Sequence, residues 1–452
     1  MNNPQQLRII SSPGGPLHGS TTLAGDKSLA HRAALLAGLA NGESCIDNYL
    51  VAGVTQALLG ALTAVSVPWK LEGKRLVVQG RGFSGLTAAE EALDCGNSAT
   101  TLRLLAGALA AAGLPAVLDG SAGLRRRPMG RIVTPLQMMG VDIQATEGHA
   151  PLTLARSERP LRSLAYRLPV ASAQVKSCLL LAGLAAEGST RLVEPGPSRD
   201  HTERMLRSLG ISVTSRQIVE NDEILYETQL ESPLRLELPP FSITLPGDIS
   251  SAAFLIVAAL ITPGSEIEIR RVCLNPTRTG IIDALREMGA QIEVHQAGEQ
   301  HGEPVGNLLV RYSRLHGTRV EGPLVVRMID EFPAFTIAAA YAEGVTTVSQ
   351  AEELRLKESD RIGALCSQLR LLGAKVDETP DGFVLHGEGG LEGGGVAAHG
   401  DHRLAMALAV AGLAAAKPVA VSGAEAFSES FPDFDAVLRR LGGCIDLEPE
   451  PG

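Results

Sequence analysis

Gly25-Asp26-Lys27-Ser28-Leu29-Ala30-His31-Arg32-Ala33-Ala34-Leu35-Leu36-Ala37-Gly38-Leu39-Ala40-Asn41-Gly42 passes from a polar turn into an Ala/Leu-rich helix. It ends on Asn-Gly, a common helix C-terminal signal. Lys27, Ser28 and Arg32 fall on the turn and the first helical turn, where free backbone N–H groups and the positive end of the helix dipole favour an anion. A single such stretch would read as a buried Ala-rich helix with a solvated basic start. Its recurrence changes the reading.

The pattern returns five times. Cys95–Thr100 runs into Leu102–Gly113, Ser172–Ser177 into Leu179–Gly188, and Gly247–Ser251 into Ala252–Gly264. Ile329-Asp330-Glu331 runs into Ala334–Gly344, and Gly400–Arg403 into Leu404–Ala416. The starts Gly25, Gly96, Ser172, Gly247, Asp330 and Gly400 lie 70 to 83 residues apart. A second helix follows each first one and closes on a Leu/Met-Gly step before an apolar strand, as in LQMMGVDI (136–143), MLRSLGISV (205–213), LREMGAQIEV (285–294), LRLLGAKV (369–376) and LRRLGGCI (438–445). The weakest copy, LTAVSVPW (62–69), has Ser66 in place of the glycine that stops the helix in a left-handed conformation. Between helices lie short runs of β-formers such as Arg75–Val78 and Thr346–Val348. Six strand–helix–strand–helix units follow. Their period is too long for common solenoid repeats, and two closed domains of three units each fit better.

The 452 residues suffice for two or three domains with ample core. The chain is 45 % hydrophobic but only 3 % aromatic, so that core is aliphatic. A net charge of −10 argues against a nucleic-acid partner, which requires an extended basic surface. It leaves room for a small anion, since local basic groups outweigh the global sign inside a cleft. The start Met1–Arg8 carries no export signal, and the longest apolar runs, about a dozen residues, are too short to span a bilayer. Cys45, Cys95, Cys178, Cys273, Cys366 and Cys444 form no CxxC pair and fall in apolar runs, which reads as reduced core thiols in a cytoplasmic protein. No zinc or Walker pattern is present.

Charged groups gather where helices begin. In Arg125-Arg126-Arg127-Pro128 the proline implies a tight turn that fixes one guanidinium. Ser198-Arg199-Asp200-His201 offers a hydroxyl and a guanidinium ahead of a helix, a suitable pair for phosphate or carboxylate. Arg355–Arg361 is denser, and by itself reads as a helix cap with Lys357 and Arg361 four apart. With Asp330 and Arg403 in neighbouring units it instead offers acid, base and anion clamps.

These blocks carry a resemblance. In order, GDKSLAHR, LDCGNSATTLRLLAG, RRRPMGR, ASAQVKSCLLLAGL, SRDHTERML, LPGDISSAAF, LNPTRTG, MIDEFP, LRLKESDRI and GDHRLAMALAVAGL look like the signature blocks of the 5-enolpyruvylshikimate-3-phosphate synthase family, from about Gly25 to Phe434. The resemblance implies an α/β (α+β) fold, a two-domain inside-out α/β barrel whose domains each hold three βαβαββ repeats around a pseudo-threefold axis. Residues 1–24 plus 247–452 would form one domain and 25–246 the other, with the active site in the cleft between them. The implied reaction transfers the enolpyruvyl group of phosphoenolpyruvate to the 5-hydroxyl of shikimate 3-phosphate and releases phosphate. It implies no metal and no cofactor, small anionic substrates, no nucleic acid or membrane partner, and a monomer.

By the same resemblance, Lys27, Ser28, Arg32, Ser172, Ala173, Gln174, Arg199, Asp330 and Lys357 would hold shikimate 3-phosphate, its phosphate lying on Ser172, Ala173 and Arg199. Lys27, Asn97, Ala99, Arg127, Gln174, Arg361 and Arg403 would surround phosphoenolpyruvate. Asp330 would take the 5-hydroxyl proton, and Glu358, assisted by Lys27, would handle the methylene proton. Ala99 stands where many family members have glycine, which implies tolerance of glyphosate, a longer occupant of the phosphoenolpyruvate site.

The resemblance departs at three places. Ala24 replaces a proline, Tyr49–Gln56 lacks an acidic pair usual there, and Glu429 stands where one branch of the family has lysine. Two alternatives remain. The sister transferase acting on UDP-N-acetylglucosamine carries a reactive cysteine on the loop that here reads Leu124–Pro128, which has none. A noncatalytic anion-binding paralogue draws support only from the missing acidic pair.

Overall fold

The computed structural model describes residues 6–156 and 160–450. It divides into a terminal unit, Met1–Ala24 with Pro246–Gly298 and Pro304–Gly452, and an inserted unit, Gly25–Leu245 with Glu299–Glu303. This division differs from the sequence expectation by one residue at Pro246 and by the hairpin tip Glu299–Glu303, which packs with the inserted unit.

Each unit repeats one sheet plan three times. A short strand runs parallel to a second, which pairs antiparallel with a third; the fourth lies beyond it. In the inserted unit the sheets lead with Ser242–Thr244 on Asn41–Asp47, Leu93–Asp94 on Ala116–Asp119, and Ala165–Arg167 on Ser189–Glu194. In the terminal unit they lead with His18–Thr22 on Glu266–Cys273, Arg319–Val320 on Glu343–Val348, and Gly394–Ala397 on Val419–Ser422. A helix joins the first two strands of four repeats. In the other two, the leading strand and its helix belong to different units, because the chain crosses over at Leu23-Ala24-Gly25-Asp26 and again at Leu245-Pro246-Gly247-Asp248. Both crossovers share one sequence plan. Gly25 is required: a Cβ there would lie 2.2 Å from the Asn48 carbonyl oxygen and 2.7 Å from Leu245 Cβ.

The helices occupy the interior. Every residue of Ile249–Ile261, Phe332–Ala340 and His402–Ala411 is buried, and these three helices pack on one another inside the terminal unit. A helix apolar on all sides belongs in a core, and each fully buried Leu, Ile or Phe contributes about 1.5–3 kcal/mol. In the inserted unit Ala99–Ala112 packs on Lys27–Leu39 and Ala173–Gly183. Their approach is close enough that a Cβ on Gly107 would stand 2.1 Å from the Cys178 carbonyl oxygen. Alanine and glycine, rather than aromatic bulk, let the helices meet.

Several sequence expectations need correction. The first helix ends at Leu39, and Asn41-Gly42 opens the strand Asn41–Asp47 instead of capping the helix. The helix from Ala173 stops at Gly183, five residues before Gly188, because Ala186–Glu187 pairs with Leu161–Arg162. Ser66, by contrast, takes a positive φ of +65°, as Gly140, Gly210, Gly289, Gly373 and Gly442 do in the other copies at +85° to +103°. Cys45 is part-exposed and Cys444 exposed; the other four cysteines are buried. Cys444 is exposed and begins a strand that, among the described residues, pairs with Leu7–Ser12 alone, so it is not a core thiol.

Candidate active site

The expected residues form a set in each unit. In the inserted unit Lys27 is the first residue of its helix, capped by Asp26, which accepts the Leu29 N–H at 3.0 Å. One turn on, Arg32 is buried, donating Nε to Thr202 Oγ1 at 2.7 Å, Nη2 to Ser177 Oγ at 2.7 Å and Nη1 to the Ser28 carbonyl at 3.0 Å. Burial lowers its pKa to about 10, a shift that nearby Glu203 opposes, so the guanidinium stays charged at neutral pH. Arg199 Nη1 donates to the Ser28 hydroxyl at 3.4 Å. Ser28, Arg32 and Arg199 thus converge. Thr202 and Ser177, which fix the fork of Arg32, were not singled out from the sequence; their signal was a hydroxyl on an otherwise apolar helix face.

Ser172 precedes the Ala173–Gly183 helix in extended conformation, its hydroxyl not used as a cap, so the first-turn N–H donors of Ala173 and Gln174 head a regular helix. Gln174 is held on both sides of its amide: Oε1 accepts from Arg103 Nη1 at 2.6 Å and Nε2 donates to Thr100 Oγ1 at 2.9 Å. Arg103 also donates to the Pro128 carbonyl at 3.0 Å, tying Gln174 to the Arg127 turn. Of the three arginines there, Arg125 and Arg126 are exposed, and Arg125 pairs with Asp119. Arg127 is part-buried and its carbonyl meets His149 Nδ1 at 3.0 Å. Asn97 accepts from Ser121 Oγ at 3.1 Å, and Ala99 is a buried first helical residue two positions on.

His31 lies beneath Lys27. Its Nδ1 meets the Lys27 carbonyl at 2.7 Å, and its Nε2 meets Ser98 Oγ and the Val54 carbonyl, each at 3.2 Å. Burial, with Lys27 and Arg32 nearby, lowers its pKa to about 4 and keeps it neutral. In the segment lacking the acidic pair, Tyr49 and Leu50 are buried, and Thr55 returns its hydroxyl to the Leu50 carbonyl at 2.7 Å. That segment therefore closes as apolar structure that also supplies an acceptor beside His31.

In the terminal unit Arg361 is the hub. It is the first residue of the Arg361–Leu371 helix, which Asp360 caps; the helix therefore begins beyond Lys357 and does not contain the expected i,i+4 pair. Fully buried, Arg361 donates Nε to Asp401 at 2.8 Å, Nη2 to Glu358 at 2.7 Å and Nη1 to Asp330 at 3.4 Å. Burial works against its charge, but Asp401, Glu358 and Asp330 outweigh it and hold its pKa above the usual arginine range. Asp401, although buried, is held below the usual carboxylate range by Arg361, and it caps the next helix by accepting the Arg403 N–H at 2.9 Å. Arg403 returns to Asp330, reaching its carbonyl at 3.1 Å and its carboxylate at 3.5 Å. Loss of water presses the Lys357 ammonium below the usual lysine range, with Arg361 adding to the shift and Asp330 opposing it. Asp330, Lys357, Glu358, Arg361 and Arg403 therefore belong to one network. Asp401 was missed, although it occupies the same Gly-Asp step as the caps Asp26 and Asp248.

Such a set can fix carboxylates for proton transfer beside cations for anions. Among the described residues no group of three or more His, Cys, Asp or Glu is placed to hold a metal, and no helix is long and apolar enough to cross a membrane.

A family model described as EPSP synthase (3-phosphoshikimate 1-carboxyvinyltransferase) matches residues 11–438. The 3-phosphoshikimate 1-carboxyvinyltransferase of Geobacter sulfurreducens is 46 % identical over 96 % of this chain and 99 % of its own. That of Methylococcus capsulatus is 45 % identical over 97 % and 98 %. The solved EPSP synthase from Acinetobacter baumannii superposes with a TM-score of 0.85 at 38 % identity, covering 98 % of this chain and all of that one. With its mixed α/β fold and nearly its whole length matched, the chain belongs to the EPSP synthase (3-phosphoshikimate 1-carboxyvinyltransferase) family.

Proposed function

We propose that this chain transfers the enolpyruvyl group of phosphoenolpyruvate to the 5-hydroxyl of shikimate 3-phosphate. Ser172, Ala173 and Arg199 take the shikimate phosphate, with Lys27, Ser28, Arg32, Gln174, Asp330 and Lys357 on the rest of that substrate. Lys27, Asn97, Ala99, Arg127, Gln174, Arg361 and Arg403 surround phosphoenolpyruvate. In the addition, Asp330 accepts the 5-hydroxyl proton as that oxygen bonds to C2, while Glu358 gives a proton to C3 and the methylene becomes a methyl. In the elimination, the C2–O bond to phosphate breaks, Glu358 takes the proton back from C3, and the proton held by Asp330 passes to the departing phosphate. Positioned acid and base groups of this kind each contribute about 10²–10⁴-fold.

One observation carries this reading: a single buried guanidinium, Arg361, holds both carboxylates, Glu358 at 2.7 Å and Asp330 at 3.4 Å. So paired, Glu358 is an acceptor. When the carboxylate or phosphate of phosphoenolpyruvate claims the Arg361 N–H groups, Glu358 loses that partner and its proton affinity rises, as an acid for C3 requires. No metal or organic cofactor enters any step, and we read the enzyme as a cytoplasmic monomer. Phosphate release tests the proposal. It should appear with phosphoenolpyruvate plus shikimate 3-phosphate and not with UDP-N-acetylglucosamine; the reverse result would assign the sister reaction, and silence with both would leave an anion-binding protein without turnover.

A further inference from the structure

Beside Arg199 the inserted unit buries three charges that the proposed reaction does not use. Lys176, in the first turns of the Ala173–Gly183 helix, places Nζ 2.6 Å from Glu194 and 2.8 Å from Glu203, and donates to the Ser198 carbonyl at 3.3 Å. None of the three side chains is more than 4 % exposed. Burial alone would drive the lysine neutral, but the two carboxylates outweigh it and keep the ammonium charged. Buried ion pairs of this kind seldom stabilise a fold more than well-packed apolar groups would. The positions they connect suggest what this one serves.

Lys176 projects from the helix that Ser172 precedes and Ala173 and Gln174 begin, four residues past Ser172 and bonded to its carbonyl through the backbone at 3.0 Å. Its ammonium grips the carbonyl of the residue immediately before Arg199. Glu203 lies in the His201–Ser208 helix beside Thr202, which receives Arg32 Nε. Glu203 is also the carboxylate that does most to sustain the charge on Arg32. One ammonium therefore joins the helix start, the Arg199 backbone and the element that fixes Arg32.

We infer that Lys176 is a positioning residue for phosphate recognition: with Glu194 and Glu203 it sets the Ser198-Arg199 backbone and the Arg32 fork against the Ser172-Ala173 helix start. The substrate phosphate then meets donors already in place, and less binding energy is lost to ordering them. This rests on the assignment of Ser172, Ala173 and Arg199 to that phosphate.

Steady-state kinetics on the full chain separate the possibilities. Lys176→Met should raise KM for shikimate 3-phosphate about tenfold or more, while kcat and KM for phosphoenolpyruvate stay within about threefold. Lys176→Arg, which keeps a charged donor, should recover part of the loss. If the methionine variant does not fold, Glu194→Gln, which leaves Lys176 paired with Glu203, should still raise the same KM by about threefold. An unchanged KM for shikimate 3-phosphate in the folded variants overturns the inference, as does a fall in kcat with an equal rise in both KM values. Arg199→Ala serves as the reference. If it raises that KM and Lys176→Met does not, only the positioning role falls; if neither raises it, the phosphate assignment falls first.

Discussion

Arg278, two residues ahead of the helix Gly280–Glu287, and Arg361, the first residue of Arg361–Leu371, are buried arginines beside the second helix in consecutive repeats of the terminal unit, and their surroundings differ in one respect. Arg278 donates to Ser250 at 2.8 Å, pairs with Asp248 at 3.2 Å and lies 3.7 Å from Glu331. Those carboxylates are 6 % and 0 % exposed, and Ser250 itself donates to Glu331, so both are shut off from solvent. Arg361 has one closed partner, Asp401, and two open ones, Asp330 and Glu358, 16 % and 18 % exposed. The same device thus serves two ends. Where the carboxylates named are sealed, the guanidinium holds helix starts together; where two of them reach solvent, it holds the carboxylates that the proposed function assigns to proton transfer.

The strongest way to break this comparison is Arg278→Met. It leaves Asp248 and Glu331 buried beside a lost cation and should cost about 3–5 kcal/mol in denaturant unfolding. Phosphate release per folded molecule should survive. Intact stability with lost turnover would place Arg278 in the chemistry and erase the distinction.

His31 sharpens it from the other unit, as a buried group beneath Lys27 that answers to the fold. Its pKa falls from 6.5 in the unfolded chain to about 4 when folded. Between those values the unfolded chain binds the extra proton, so this contribution is complete above pH 6.5 and is lost as pH falls toward 4, by about 3 kcal/mol. Unfolding measured across that window should decline more steeply for the native protein than for His31→Gln; parallel curves would mean that His31 is not held neutral. The smallest effect is expected at Ala99. If its methyl crowds the longer inhibitor, at about 1–3 kcal/mol, then Ala99→Gly should strengthen glyphosate inhibition about tenfold or more. Equal inhibition constants would mean the methyl points elsewhere.

The repeats were legible because each helix announces itself by local chemistry. Asp26, Asp248 and Asp401 stand in Gly-Asp steps and each caps the helix that follows. Even Ser66 obeys the turn its glycine counterparts define. What escaped was decided by contacts distant in sequence. Asn41-Gly42 looks like a helix stop, yet it pairs with Gly80-Arg81 and becomes strand. Lys176 meets Glu194 and Glu203 only after two further elements have folded back, and no periodicity announces such a cluster. The motif blocks named the groups that the proposed function turns toward its substrates. The groups that hold them, Asp401, Thr202, Ser177 and Arg103, carry ordinary identities and acquire their roles from geometry.

Turnover and binding in Asp330→Asn and Glu358→Gln test the central claim most directly. If the open partners of Arg361 do the proton transfers, each variant should release phosphate about 10²-fold more slowly or worse while binding shikimate 3-phosphate within about tenfold of the native protein. Near-native turnover in both variants would contradict the account and leave the Arg361 network, like that of Arg278, a device of the fold.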